Sequence, residues 1–389
     1  MVTAATAAAT TTIAPTGGIR FTVASRPQVR FGNTQTVSNV ASTTLAPISL
    51  PATGFVRMIE LHFHCVTNYA SAGAIVAGDG PFNLIAGIQL SDATGQPIFQ
   101  PISGYNLMLL NKHLPSAFIM DRFESISNCD PLLGPEYAFA STSTVGTADF
   151  RLRLDLEQDA NGYGCIPNLD SNASLQVVVN LAASTVAFTG TTIGLSTVAC
   201  TVDSYYWAPV GASTGGVPNS VSPIGFGDFL ETRYENQVAI ASSENIVNVN
   251  NRGGLVKGII AISRAAGARM AFTVATNVGV VYDNNAIQEG LKLESHNDKV
   301  RRSSGYMGAD ITTSYAPLAA GIVSGIEQGV LVIPFARYGG GRDTWLSTRV
   351  GTLLQIKATP GTSATQLELV TQLMQVKDAS AFYGNGAAF

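Results

Sequence analysis

Period two dominates the hydrophobic pattern of this chain. From Phe150 to Glu157 apolar and charged residues alternate without a break. Successive side chains of a strand point to opposite faces, so this run predicts a strand with a buried face of Phe150, Leu152, Leu154 and Leu156 and a solvated face of Arg151, Arg153, Asp155 and Glu157. Leu175, Val177, Val179 and Leu181 repeat the alternation. Further strands are predicted over 255–262, 271–274, 330–335, 353–357 and 367–376. Helical spacing is brief, at Gly104 to Asn111 and at Asn285 to Leu293.

The most legible segment is PFNLIAGIQLSDATGQPIFQPISGYNLMLLNK, from Pro81 to Lys112. Asn83 to Leu90 is an apolar strand, Asp92 to Gly95 supplies turn residues, Pro97 to Phe99 restarts an extended segment, and helical spacing follows from Gly104. Nothing in it presents an acid, a base or a nucleophile for chemistry.

Between Ala208 and Gly227 the sequence APVGASTGGVPNSVSPIGFG has no charge and no sustained periodicity, which marks a linker. The expected organisation is an arm over 1–25, a β-domain over 26–209, a linker over 210–226, a second β-domain over 227–378 and a tail over 379–389. Each block is strand-rich with one short helix. Many short strands punctuated by Gly, Pro and Asn imply two β-sandwiches in series, since a parallel α/β fold needs helices between successive strands.

Composition narrows the function. The 389 residues suffice for two domains with full cores. Charged residues are 12% of the chain, about half of the ~25% usual in soluble proteins, as suits a surface largely covered by partners. A formal charge of -4 gives no electrostatic footprint for nucleic acid or an anionic membrane, so no direct nucleic-acid binding is expected. The basic group Lys299, Arg301 and Arg302, beside Glu294 and Asp298, reads as a solvated or subunit-facing patch. Cys65, Cys129, Cys165 and Cys200 have neither zinc nor redox spacing, and Cys65 and Cys200 lie in apolar runs as small buried hydrophobes. The start, MVTAATAAATTTIAPTGG, lacks the basic and apolar regions of a secretory signal. The uncharged stretch 180–202 is interrupted by Ser, Thr and Gly and reads as strand rather than a membrane-spanning helix.

The sharpest candidate chemistry is Glu60-Leu-His62-Phe-His64, because a strand places these three side chains on one face, as a metal half-site requires. The opposite face, with Phe55, Ile59, Leu61, Phe63 and Cys65, is then core. Cupin metalloenzymes use such a His-x-His pair, but the Glu expected a few residues on is missing here. The plainer reading is a polar strand face at a subunit contact. Gly211, Ser213 and Gly215 match the nucleophile-elbow letters inside a linker, without the strand and helix that the motif needs. Gly339 to Gly341, followed by Arg342 and Asp343, lack the Lys-Ser/Thr and helix start of a phosphate cradle. Asp155, Glu157 and Asp159 read as two residues of a solvated strand face and one of a loop, and Asn172 to Ser174 is a glycosylation sequon only by letter. Tyr205, Tyr206 and Trp207 are expected to pack beneath a domain junction. No catalytic, cofactor or metal site is therefore assigned.

Three passages carry a family resemblance. The PFNLI strand with its D..G turn and the Ser103-Gly104-Tyr105 helix opening, the run from Phe150 to Ser184 with its "PN" corner, and the run from Gly329 to Met374 with VLVIPF and the Trp345-to-Thr348 corner resemble the double jelly-roll major capsid proteins of tailless, internal-membrane-containing, tectivirus-like phages. The long Ala/Thr arm departs from the commonest pattern. The resemblance implies an all-β fold of two eight-stranded antiparallel jelly rolls in series, with short inserted helices. It implies a structural virion protein whose homotrimeric, pseudo-hexameric capsomers tile an icosahedral shell over an internal membrane. The implied partners are neighbouring capsomers, penton and minor capsid or membrane proteins, and lipid. A cupin-like metal-binding enzyme and a carbohydrate-binding or adhesin-like β-sandwich are the alternatives.

Overall fold

The computed structural model describes residues 25–38, 41–67, 75–76, 78–115, 136–138, 147–158, 162–189, 195–209, 228–250, 253–273, 276–304, 326–336, 344–349 and 353–375. Residues 1–24 of the expected arm 1–25, the linker 210–226 and the tail 379–389 fall outside them, as do Cys129, Asp159, the Gly211 to Gly215 motif and the Gly339 to Asp343 loop.

Two large sheets and a two-stranded one, Phe188–Thr189 on Ile75–Val76, make up the first half. One runs Ser25–Ser38, Leu195–Pro209, Gly54–Thr67, Thr147–Asp155, all antiparallel, with Glu136–Ala138 added beyond the last. In the other, Thr43–Thr44 and Ile48–Ser49 flank Gln176–Leu181 on one side and Ile85–Ser91 flanks it on the other. The segment 97–102 continues this sheet through the bridges Ser91–Pro97 and Ile88–Ile102. The second half has one sheet of Phe229–Val238, Gln366–Gln375, Leu255–Ala265 and Val330–Pro334, with Leu346–Ser347 also on Leu255–Ala265 and the short Ala268–Arg269 at its end. Its other sheet is Asn245–Asn248, Leu354–Ala358, Asn277–Tyr282 and Asn285–Lys292.

Numbering the eight principal strands of each half in chain order, with 43–49 and 97–102 counted as one strand each and the short strands of two or three residues at 75–76, 136–138, 166–168, 188–189, 268–269 and 346–347 set aside, both halves give the sheets 1-8-3-6 and 2-7-4-5. Each half is therefore an eight-stranded jelly roll, and a helix follows the fifth strand in both: Gly104–His113 in the first roll and Leu293–Ser304 in the second. The likeness is one of strand order, since no short repeat in the sequence announces it.

The predicted alternations explain most strands. Ile59, Leu61, Phe63 and Cys65 share the first core with Phe150, Leu152 and Val177, where the Phe63 and Phe150 rings stack 4.9 Å apart and Phe82 meets Phe150 edge-on at 5.4 Å. Phe55 instead packs with Cys165 and Trp207. Leu255–Ala265 and Val330–Pro334 lack the apolar-polar alternation because both their faces are covered, and the polar residues of the first, Lys257 and Arg264, find buried or half-buried partners. Ile259, Ala261, Leu331 and Ile333 enter the second roll's own core. Ile260, Ile262, Val330 and Val332 point the other way, into the cluster shared with the first roll.

Three expectations are corrected. Asn285 to Leu293 is a strand over Asn285–Lys292, and the helix begins only at Leu293. Asp283 and Asn284 both take positive φ, 47° and 64°, which is the paired left-handed geometry that closes a two-residue hairpin and returns the chain along Asn277–Tyr282. Of 271–274 the described residues 271–273 do not form a strand, as only Phe272 makes a bridge, to Pro360. Finally, the face of Arg153, Asp155 and Glu157 is buried rather than solvated. A cavity of about 40 Å³ between the rolls is lined by Arg153 and Asp155 together with Leu230, Thr232 and Gln372 of the second roll, so the neighbouring domain occupies the place of water. No helix among the described residues is long and apolar enough to cross a membrane.

Candidate functional site

Glu60, His62 and His64 lie on the outward face of Gly54–Thr67, paired in register with Asp203, Thr201 and Ala199 on one side and Arg153, Arg151 and Asp149 on the other. Exposure rises along the row, from 9% of the Glu60 side chain to 29% for His62 and 51% for His64. The row thus begins nearly buried and ends in solvent. His62 Nε2 lies 3.3 Å from Asp203 Oδ2 and 3.7 Å from Glu60 Oε2. His64 turns away, with Nδ1 2.6 Å from Asp149 Oδ1. Tyr205 donates its hydroxyl to Glu60 Oε2 at 3.1 Å, and Arg151 Nη1 sits 3.8 Å from Glu60 Oε1.

Burial works against the Glu60 charge, but His62, the Tyr205 hydroxyl and Arg151 together hold its carboxyl below the usual range. The two imidazoles serve separate carboxylates and do not converge on a common point. Among the described residues no group of three or more His, Cys, Asp or Glu side chains could hold a metal ion. What the face offers is a ladder of alternating charge, suited to contact with another charged surface.

The larger concentration of buried charge is between the rolls, and sequence reasoning missed it. The helix Gly104–His113 belongs to the first roll, yet its end is anchored in the second. Lys112 Nζ donates to Glu327 Oε1 at 2.5 Å and His113 Nε2 donates to Glu327 Oε2 at 2.8 Å, with all three side chains buried. Asn106 Nδ2 donates to Glu368 Oε1 at 2.7 Å, and Glu368 also accepts from Arg264 Nε at 2.8 Å. Arg264 and Arg269 both reach Asp79 of the first roll, at 2.7 and 2.5 Å. Lys257 Nζ donates to Gln158 Oε1 at 2.8 Å. The missed signal is scarcity: a Lys-His pair ending an apolar helix, in a chain with so few charges, asks for buried partners.

The Ser103-Gly104-Tyr105 opening has a separate physical reason at each position. Ser103 caps the helix, its hydroxyl accepting from the Asn106 backbone N–H at 3.2 Å. A Cβ on Gly104 would come within 2.4 Å of the Phe82 carbonyl oxygen, so only glycine lets the helix start this close to the 3-10 turn Phe82–Leu84. Tyr105 is buried beneath the Arg264 and Arg269 guanidinium groups, 5.6 and 5.5 Å from its ring centre. Asn111 completes the join: its amide donates to the Arg153 carbonyl at 2.6 Å and accepts from the Arg153 N–H at 2.9 Å, taking the place of a neighbouring strand where Glu136–Ala138 stops.

Other expected features fall as follows. Cys65, Cys165 and Cys200 are buried free thiols. Tyr206 lies in the first roll's core, and Trp207 donates its indole N–H to Glu157 at 2.9 Å under the Arg57 guanidinium. Lys299 and Arg302 are exposed on the second helix, and Arg301 pairs with Asp298 at 2.9 Å.

In sequence, the chain matches no protein-family model and no curated protein. In structure it is similar to a chain of the Sulfolobus turreted icosahedral virus, with a TM-score of 0.61 at 13% identity over 92% of this chain and 93% of that one. The crystal structure of the STIV major capsid protein gives 0.60 at 11% identity, covering 92% and 99%. The Faustovirus major capsid protein gives 0.53 at 9% identity, covering 90% of each chain. Likeness at these identities lies in the path of the backbone, and that path, two jelly rolls of one strand order in series, is the double jelly-roll fold of these viral proteins.

Proposed function

We propose that this chain is the major capsid protein of an icosahedral virus, a structural shell subunit with no reaction to perform. The observation that carries this reading is the pair of jelly rolls with identical strand order, locked together through Glu327, Asp79 and Glu368. Two like domains held rigidly side by side present near-equivalent walls to their neighbours, so three chains can fill a six-sided outline. In this reading 26–209 and 227–378 are the wall-forming rolls, and 1–25, 210–226 and 379–389 are arm, linker and tail. The capsomer is a homotrimer of pseudo-hexameric outline. It meets neighbouring capsomers, penton and minor proteins and an internal membrane in the virion, after synthesis and assembly in the host cytoplasm.

The low charge content, the similarity in fold over about nine-tenths of the chain to viral capsid proteins, and the divergence of His62 from His64 all support a structural role. Size-exclusion chromatography with light scattering on the purified chain, followed by electron microscopy, tests it. The expected result is a stable trimer that forms hexagonal plates or shells. A monomer at all concentrations with no assembly products would overturn it.

A further inference from the structure

Among the described residues each roll leaves its first strand at the edge of a sheet: Ser25–Ser38 in the first and Phe229–Val238 in the second, each hydrogen-bonded there to a neighbour on one side only. Long edges with unpaired backbone groups are hazards that folded proteins cover, twist or charge. These two are 14 and 10 residues long and carry exposed apolar side chains. Val29 and Phe31 are 45% and 82% exposed on the first edge, and Tyr234 and Val238 are 57% and 85% exposed on the second. Ile240 and Ile246, on the turn and strand that follow Val238, are 65% and 54% exposed. These six are most of the nine exposed large hydrophobics among the described residues, so such surface is concentrated on these two flanks rather than scattered.

Their charges are opposite. The first edge bears Arg26 and Arg30 and no carboxylate. The second bears Glu231, Arg233 and Glu235, with Arg233 already tied to Glu231 at 2.7 Å. Glu235 is held at the rim by Asn250, whose backbone N–H and side-chain amide donate to it at 3.1 and 2.9 Å. An edge of arginines with an apolar centre thus meets its complement on the other roll of the same chain. One chain cannot satisfy both ends of such a contact; a ring of chains can.

The geometry points to a head-to-tail contact in which the Ser25–Ser38 edge of one chain docks on the Phe229–Val238 edge of a second copy. Phe31 and Val29 lie against Tyr234 and Val238, and Arg26 and Arg30 against the Glu231 and Glu235 rim. This rests on the shell-subunit reading and names the surface through which the oligomer closes.

The test uses the full chain in analytical ultracentrifugation over a concentration series. R26E/R30E is expected to raise the midpoint concentration of oligomer formation by about tenfold or more, and adding E235R to the same chain to bring it back towards wild type. As a second route, an F31C/Y234C chain is expected to give disulfide-linked oligomers under mild oxidation, whereas F31C alone is not. A wild-type oligomer that R26E/R30E leaves unchanged, or F31C chains that cross-link to one another, overturns the edge pairing and leaves the shell reading standing. A wild-type chain that remains monomeric throughout overturns the shell reading and the pairing with it.

Discussion

Lys112 and Glu327 form a buried ion pair at 2.5 Å across the two rolls, with 4% and 0% of their side chains exposed. Taking two charges out of water is costly, and their attraction offsets this only while both are present. Lys112→Met is therefore expected to lower the unfolding free energy by about 3–5 kcal/mol, read as a shift of the urea midpoint. Lys112→Met with Glu327→Leu should recover part of that loss, because the two charges leave together while His113 Nε2 loses its acceptor. Additive losses in the double variant would show that the pair is not coupled.

The same carboxylate sets an acid limit on stability. Burial alone would raise the Glu327 pKa, but Lys112 and His113 overcome it and hold the group far below its ordinary value of 4.5. A carboxylate whose folded-state pKa is depressed contributes stability that is complete above its unfolded value and is lost as pH falls towards the folded one. The urea midpoint of the wild type should therefore decline as pH is lowered below about 4.5. In Glu327→Gln the decline should be shallower. Parallel pH profiles for the two proteins would sink this assignment.

The helix opening separates a mild change from a severe one only two atoms away. Ser103→Ala removes a cap and is expected to cost about 1 kcal/mol. Gly104→Ala drives a methyl group to within 2.4 Å of the Phe82 carbonyl, which is backbone and cannot rotate aside. Overpacking of this kind costs about 1–3 kcal/mol or more, so Gly104→Ala should be the more damaging in thermal unfolding. The reverse order would mean that the helix start can shift at little cost.

How much was legible follows from where each residue's partners lie. Phe150, Leu152 and Leu154 alternate because their core is built locally by facing strands, and that alternation was readable. Arg153 and Asp155 follow the same rhythm, yet they are buried and line a cavity with Leu230 and Gln372, far away in the chain, and no local pattern records this. In 285–292 most residues are exposed, so no core enforces period two. Ile287 and Leu291, four apart, mimic a helix face, while the decisive signal was the Asp283-Asn284 turn. For Glu60, His62 and His64 the shared face was readable, but the turn of His64 to Asp149 depends on the neighbouring strand.

That divergence gives a direct expectation for metal. The purified chain should carry no stoichiometric transition metal, and a chelator should leave its melting temperature unchanged, because His62 and His64 serve different carboxylates. His62→Ala with His64→Ala should likewise leave the metal content where it was. Zinc or another transition metal at one equivalent, lost in that variant, would revive the metalloenzyme alternative.

Thiol chemistry gives a test of the packing of the first roll. Burial pushes the Cys200 thiol up to about 12 and raises Cys65 well above the usual range, with Asp149 and Cys200 adding to the Cys65 shift. Cys165 is buried as well. The thiolate is the reactive form, so these three should be inert to a disulfide reagent at pH 8 in the folded protein. The native chain is then expected to release at most one equivalent, from Cys129, against the full complement of 4 cysteines in denaturant. Rapid release of two or more equivalents from the native protein would mean that the sheet pairing Cys65 with Val198 and Phe63 with Cys200 opens on the timescale of the assay.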